Sequence, residues 1–566
     1  SRQHDNNRMA TPSDFEVPTL ALVLIITTVA TLPLVYKALA PSKTEQSSPV
    51  MDLKAIQAPR LTGLALSLFA KVTRIPILGK FILQSIKNDN DFQHVRDFAA
   101  TLTHLVPLYL PLQPPSAEVL AEHTQLAASF SIEALANTPI DVKGGSFRRW
   151  TIHDYTSRYK AGTATPSQVI TAVLDAIDAS NAFWTSLGTP LRTETSFINE
   201  VPVKDSAPIG RLRQAGAIFV GKTNMHEIGM GTFGINIFTG TPRNPYNDQH
   251  MTGGSSSGSA AAVAAGLVPL AIGCDGGGSI RIPAGLCGVV GIKATYMRVP
   301  FHFQGGPSVA NVGPLAATVK DLALAYAVLG GADPDQPLSV CQPPPFVLPP
   351  STPPSLAGLR VGVFSAYVEG SDPQIKSAFW DTVAYLRELG ATVVEVEIPH
   401  LQALHLSHSI TILTEISLPS FSPDVQIALA LGKQTLDSAD FLAAQKIRAY
   451  ALGVTNQLFD QVDVFLTPTT ATLAPRLEND VFKAGLSELS LTTALMRYII
   501  LGNMVGIPGL SVPIGFADES NLPISLQLQA KHWNEHVLID LARTLEARAP
   551  TKKPTLYFSI LEPSSA

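Results

Sequence analysis

Apolar positions along this chain fall into three regimes, and each predicts a different kind of element. From Val17 to Tyr36 the run VPTLALVLIITTVATLPLVY carries no charge and is about as long as the ~20 residues that cross a bilayer, which predicts a membrane anchor. It lacks the small-residue cleavage pattern of a secretory signal, so the anchor is expected to stay attached. Pro33 and the threonines weaken the run, and a buried or interfacial helix is the alternative. Between Leu61 and Leu112, clusters such as LTGLALSLFAKV and ILGKFILQSI recur at three-four spacing. These predict amphipathic helices that lie on lipid or wrap the rest of the chain. From Phe147 onward the period changes again. Short β-branched runs, GAIFVG, RVGVFSA, ATVVEVEI and VDVFLTP, alternate with helical stretches, the rhythm of an α/β domain with a mixed sheet and helices on both faces.

The expected organisation is therefore a leader or tail over 1–16, an anchor over 17–36, a helical region over 53–146 and an α/β domain over 147–561. The proline-rich run QPPPFVLPPSTPPS, a loop over 343–355, interrupts that domain without ending it. Met9 reads as a translation start, with Ser1 to Arg8 as leader. Lys37, Lys43 and Lys54 follow the apolar run, against Arg2 and Arg8 before it; the positive-inside tendency then puts the large domain in the cytosol, on the endoplasmic reticulum or plasma membrane. There is no internal repeat.

With 566 residues, 46% hydrophobic and 15% charged, the chain is long enough for a large core and low in charge for its size. A formal net charge of -5 points away from nucleic acid. Cys274, Cys287 and Cys341 form no metal-ligand pattern and no disulfide framework, so buried reduced thiols are expected.

The chemistry concentrates between Thr252 and Thr295, where two serine-bearing glycine loops flank one helix-and-strand length: TGGSSSGSAAAVAAGLVPLAIGCDGGGSIRIPAGLCGVVGIKAT. Glycine lets the main chain approach a reacting carbonyl and adopt dihedrals closed to other residues. Gly276, Gly277 and Gly278, with Ser279 itself, can therefore offer N–H groups to an oxyanion. Ser279 is the candidate nucleophile.

This segment resembles the signature of the amidase signature family, whose members cleave amides with a Ser-Ser-Lys triad. The likeness continues through GAIFVGKTNMHEIGMG, GTPRNP, VDVFLTPTTATLAP, GNMVGIPGLSVPIGF and LPISLQLQA. The resemblance implies that Ser279 attacks, that Ser255 relays its proton after an unusual cis peptide, and that Ser256, Asp275 and Arg281 brace the site. No metal or organic cofactor is implied. Upstream, KAIQAPRLTGLALSLFAKVTRIPILGKFILQSIKNDN and FRRWTIHDYTSRYKAGTATPSQV resemble the N-terminal part of plant fatty acid amide hydrolases, so that the likeness runs from about Leu53 to Leu561. It implies lipid amides such as N-acylethanolamines as substrates, cut to fatty acid and amine.

One part of the pattern is missing. A lysine can act as base only while neutral, and the family's spacing places it near Ala179, yet no lysine occurs between Lys160 and Lys204. The residues after Lys204, KDSAPIGRLRQAGAIFVGKTN, match a later family segment, and TSLGTPL (Thr185 to Leu191) matches the stretch that follows the lysine. The simplest reading is an internal deletion between about Ala179 and Trp184; the alternative makes Lys204 the base. Activity is then expected to be weak, and a second class of function stays open: a membrane-associated isoform that binds lipid amides, or forms a dimer with a complete partner, without turning them over.

Rival motifs carry less. GAIFVGKT (Gly216 to Thr223) fits a P-loop by letter, but its variable residues form an apolar run that could not cradle phosphates. Gly254 to Gly258 fits the GxSxG elbow of α/β-hydrolase esterases with Ser256 as nucleophile, but no hydrophobic strand precedes it. His400, His405 and His408 lack the carboxylates of a metal site and read as ordinary helix positions. His226-Glu227 has no second histidine at helical spacing, and SxxK at Ser157 to Lys160 lacks its companion motifs. Lys222 reads as a surface cation or one that backs a site from outside its lining.

Overall fold

The computed structural model describes residues 51–56, 58–138, 147–186, 204–302, 308–349, 355–416 and 422–562. The expected anchor over 17–36 lies outside the described residues, as does most of Thr185–Leu191. Among the described residues no helix is long and apolar enough to cross a membrane.

Eight strands build the central sheet: β1 (Leu270–Asp275), β2 (Val290–Lys293), β3 (Asn311–Ala316), β4 (Arg360–Val363), β5 (Thr392–Glu395), β6 (Val464–Pro468), β7 (Gly509–Phe516) and β8 (Pro523–Ala530). Their order across the sheet is β1-β3-β2-β7-β8-β6-β4-β5. The joins from β1 to β6 are antiparallel and the last two parallel, so the sheet is mixed, as the alternating runs predict. Parallel neighbours need long crossovers, and the helix Pro373–Glu388 fills the one between β4 and β5.

Helices that bear on the site are α1 (Gly63–Thr73), α2 (Pro76–Asp89), α3 (Pro166–Ser186), α4 (Ser257–Ala264), α5 (Arg281–Leu286), α6 (Leu401–Glu415), α7 (Pro423–Thr435), α8 (Ser438–Gln461) and α9 (Ile500–Val505). The first two come from the region of three-four spacing. Their inner faces bury Leu66, Ala70 and Leu83, while Leu64, Ile77 and Phe81 remain exposed on the other side. The core divides about the sheet. One cluster packs Val361, Val363, Leu466, Leu526 and Leu528 with the helix Glu535–Arg548, and another packs Phe465 with α6, α8 and α9.

RVGVFSA, ATVVEVEI and VDVFLTP form β4, β5 and β6 as expected. GAIFVG does not form a strand. Residues 217–221 join no sheet, and Ile218 and Phe219 are left 50% and 39% exposed. A strand exists only through a ladder with a neighbour, and no described segment pairs with this one; β1, at the sheet edge, pairs with β3 alone.

Candidate active site

Strand β1 ends at Asp275, and the glycine loop that follows wraps around that carboxylate. Oδ1 accepts the Gly278 N–H at 2.7 Å, and Oδ2 accepts the N–H groups of Ile280 and Arg281 at 3.2 and 3.3 Å. Arg281 grips both oxygens, Nε and Nη2 each at 3.0 Å, with neither side chain exposed. Asn503 on α9 adds an Nδ2 bond to Oδ1 at 2.9 Å. Burial alone would raise this carboxyl's pKa, but the Arg281 charge, with bonds from Arg281, Asn503 and Gly278, holds it far below the carboxylate range. The guanidinium is satisfied further by Gln527 Oε1 at 2.7 Å and Asn503 Oδ1 at 2.5 Å. A buried ion pair thus sets the loop. Gly278, at φ +102°, takes a conformation that favours glycine, and a Cβ there would meet Ile282 at 2.7 Å.

The facing loop carries the other serines. Its Gly254–Ser255 peptide is cis, where the resemblance implied one. The two loops are tied by the Ser256 N–H donating to the Ser279 carbonyl at 3.1 Å. Ser256 Oγ also accepts the Cys274 N–H at 3.2 Å, clamping the loop to β1. Ser256 does not line the cavity, so nothing in the geometry favours the elbow reading with Ser256 as nucleophile. Ser255 and Ser279 instead open on one cavity of about 950 Å³, whose wall includes Gly276 and Gly277. No direct hydrogen bond joins their two hydroxyls. Phe69, Leu83, Ile86, Ile412 and Leu431, from α1, α2, α6 and α7, give the cavity its apolar side.

Two expectations change. Gly278 cannot serve the oxyanion with its N–H, because Asp275 already takes it. Gly277 and Ser279 N–H groups have no partner among the described residues and remain available. Lys204 lies far out on the surface, 79% exposed and bonded to Asp335 at 3.4 Å, and takes no part in the cavity wall. Ala179, near which the resemblance places the family's lysine, sits within helix α3.

Several residues of the site were not singled out from sequence for these roles. Lys222 lines the cavity, and its segment runs beside Ser255 to Ser259: His226 N–H donates to the Ser255 carbonyl at 3.0 Å, Gly258 N–H to Asn224 at 2.9 Å, and Thr223 and Ser259 hydroxyls meet at 2.8 Å. His226 Nε2 is 3.4 Å from Asp424 Oδ2, both buried in the wall. Lys293, at the end of β2, is fully buried beside Arg281; burial first, then the Arg281 charge, push its pKa down to about 7. Its one sequence signal is a lone charge closing the apolar run VVGIK. It does not line the cavity. His408, read as a plain helix position, is buried and His405, read likewise, half-buried; their pKa values are driven to about 4 and about 3, mainly by desolvation. Among the described residues no cluster of metal-ligating side chains occurs.

The sequence model of the Amidase family matches residues 185–539. A fatty acid amide hydrolase of Arabidopsis thaliana is 32% identical, over 92% of this chain and 98% of that protein, and one of Medicago truncatula 31% identical, over 93% and 99%. Among solved structures, a glutamyl-tRNA(Gln) amidotransferase subunit from Thermotoga maritima matches with TM-score 0.55 and 30% identity, over 64% of this chain and 81% of that one. A bacterial aryl acylamidase of the amidase signature family, at TM-score 0.61 and 23% identity over 71% and 97%, shares the fold. Since the likeness spans the braced loop, the facing loop and nearly the whole sheet around them, this chain belongs to the amidase signature family and is an amidase-type hydrolase related to plant fatty acid amide hydrolases.

Proposed function

We propose that the chain hydrolyses long-chain fatty acid amides such as N-acylethanolamines, slowly, with Ser279 as nucleophile. The observation that carries this reading is the shared opening of Ser279 and Ser255 onto one largely apolar cavity of about 950 Å³, at the upper end of the ~300–1,000 Å³ of small-molecule sites. An acyl chain fits such a wall, and the plant relatives bear the name of that activity. Ser279 Oγ attacks the amide carbonyl while its proton passes to Ser255 and on to a base; the Gly277 and Ser279 N–H groups hold the oxyanion; the proton returns to the leaving amine, and water clears the acyl-enzyme.

The base in this reading is Lys222, the lysine of the cavity wall. It is exposed, whereas an amine serves best here when shielded from water, and this is the physical ground for slow turnover. The same exposure favours a second reading, a lipid-amide-binding isoform that does not turn substrate over. Mass-spectrometric assay of an acylethanolamide with the full chain and its Ser279→Ala, Lys222→Ala and Lys204→Ala variants decides. Expected are slow hydrolysis by the parent, none by Ser279→Ala, at least tenfold loss in Lys222→Ala and no change in Lys204→Ala. Binding without any Ser279-dependent hydrolysis selects the second reading, and loss in Lys204→Ala refutes the assignment of the base.

The exposed Leu64, Ile77 and Phe81 of α1 and α2, helices that also wall the cavity, support a further part of the proposal: that the chain works at a membrane surface, taking lipid substrate from it.

A further inference from the structure

His408, on α6, is fully buried, and its ring lines the cavity with Ser279. Its Nε2 lies 2.8 Å from the carbonyl oxygen of Gly276. A carbonyl only accepts, so Nε2 carries the proton. Burial, aided by the Arg448 charge, holds the ring's pKa at about 4 against the pull of that hydrogen bond. Throughout the neutral range the side chain is therefore one species, the Nε2–H imidazole. Nδ1 is then bare, buried and without a partner, a cost that a leucine at this position would not incur. What the ring gives in return is its one bond, to a peptide of the glycine loop.

That peptide is trans, the sole cis bond among the described residues being Gly254–Ser255. In a trans peptide the carbonyl and the following N–H point in opposite directions. Drawing the Gly276 oxygen towards α6 therefore turns the Gly277 N–H away from it. The plane has little room to rotate: a Cβ on Gly277 would lie 3.0 Å from His408 Cε1 and 2.8 Å from Met496 Cε, so ring and methionine close on the residue from its side-chain face. Gly278 cannot share the task, its N–H being held by Asp275.

We propose that His408 is a positioning residue that fixes the Gly276–Gly277 peptide with its N–H presented to the acyl oxygen during attack by Ser279. The inference rests on the hydrolase reading of Ser279 and adds the residue that aims its oxyanion donor.

The test uses the full chain with His408→Leu, which removes the donor, and His408→Gln, whose amide N–H restores one at similar reach. Phosphonylation of Ser279 by a fluorophosphonate, followed against probe concentration, separates the maximal rate from probe affinity. In that reaction Ser279 Oγ gives its proton through Ser255 to the base and bonds to phosphorus, the P–F bond breaks and fluoride leaves, and the phosphonyl oxygen occupies the oxyanion position. Losing one oxyanion donor costs about 10²–10³ in rate, so we expect His408→Leu to lower the maximal rate at least tenfold with affinity unchanged and His408→Gln to recover most of it. Equal rates in wild type and His408→Leu overturn the inference, as does a His408→Gln variant no faster than His408→Leu, which marks mere packing. Imidazole ¹⁵N spectra of the wild type between pH 5 and 8 provide the second reading. An Nδ1–H or charged His408 in a chain that reacts at Ser279 overturns this inference alone. A chain that never reacts at Ser279, yet shows the Nε2–H signature, overturns the hydrolase reading and the oxyanion role with it.

Discussion

Replacing Asp275 by asparagine tests the brace beneath the glycine loop. The carboxylate faces only donors: Oδ1 takes Gly278 N–H, Arg281 Nη2 and Asn503 Nδ2, while Oδ2 takes Ile280 N–H, Arg281 N–H and Arg281 Nε. Whichever way the new amide turns, its NH₂ meets donors, and a buried group left unpaired costs about 1–3 kcal/mol. Arg281, with no exposure, also loses its counter-ion, and breaking a buried pair from one side costs about 3–5 kcal/mol. The two costs overlap, so a destabilisation of about 3–6 kcal/mol is expected, a large part of the ~5–15 kcal/mol that holds a typical protein. Urea unfolding followed by near-ultraviolet circular dichroism measures it, and fluorophosphonate labelling of Ser279 should fall in parallel as the loop loosens. Removing both charges in Asp275→Asn/Arg281→Met should restore part of the loss, since that exchange leaves no orphaned cation. A single variant within ~0.5 kcal/mol of wild type, or a double variant weaker than the sum of its singles, would refute the ion pair as the loop's anchor.

Asp321 is buried, and desolvation lifts its pKa to about 7 despite bonds from Ile152 N–H and the Thr318 hydroxyl. The unfolded carboxyl ionises near 3.9 while the folded one keeps its proton, so the native state binds more protons and stability falls as pH rises from ~4 to 7; Asp321→Asn should flatten that fall by roughly 2–4 kcal/mol in the unfolding free energies measured with urea at pH 5 and 8, and an unchanged slope would count against it. Serine at Leu64, Ile77 and Phe81 removes the exposed apolar face of α1 and α2, and should cut flotation with phosphatidylcholine vesicles at least severalfold without moving the unfolding midpoint. Equal flotation would assign membrane contact elsewhere.

The glycine-serine loops were legible from sequence because their chemistry is local: a cradle of main-chain N–H groups needs glycines at fixed offsets from a serine, and these lie within one segment. Strands β4, β5 and β6 were legible for a similar reason, their β-branched runs being bounded by helices and turns. Gly216 to Gly221 has an equally good pattern and forms no strand, because pairing depends on a neighbour rather than on the run itself. Gly278 was misjudged as an oxyanion donor since composition cannot say which N–H of a loop is already taken by Asp275. Nor could periodicity distinguish His408 from an ordinary helix position: its meaning comes from one carbonyl 132 positions earlier. Lys204 shows the converse, a motif-like lysine whose context in the fold puts it in solvent.

The partners of Arg281 have a consequence for the order of assembly. Asn503 and Gln527 follow it by 222 and 246 positions, so during synthesis the glycine loop that carries Ser279 emerges from the ribosome long before the groups that complete its cage. Until α9 has been made the guanidinium can find only Asp275 and water, Gln527 of β8 completes the set later still, and contacts this distant in sequence form late. A nascent chain halted short of Gln527 would hold both serines yet lack the finished cradle, so that catalytic competence is among the last properties this polypeptide acquires.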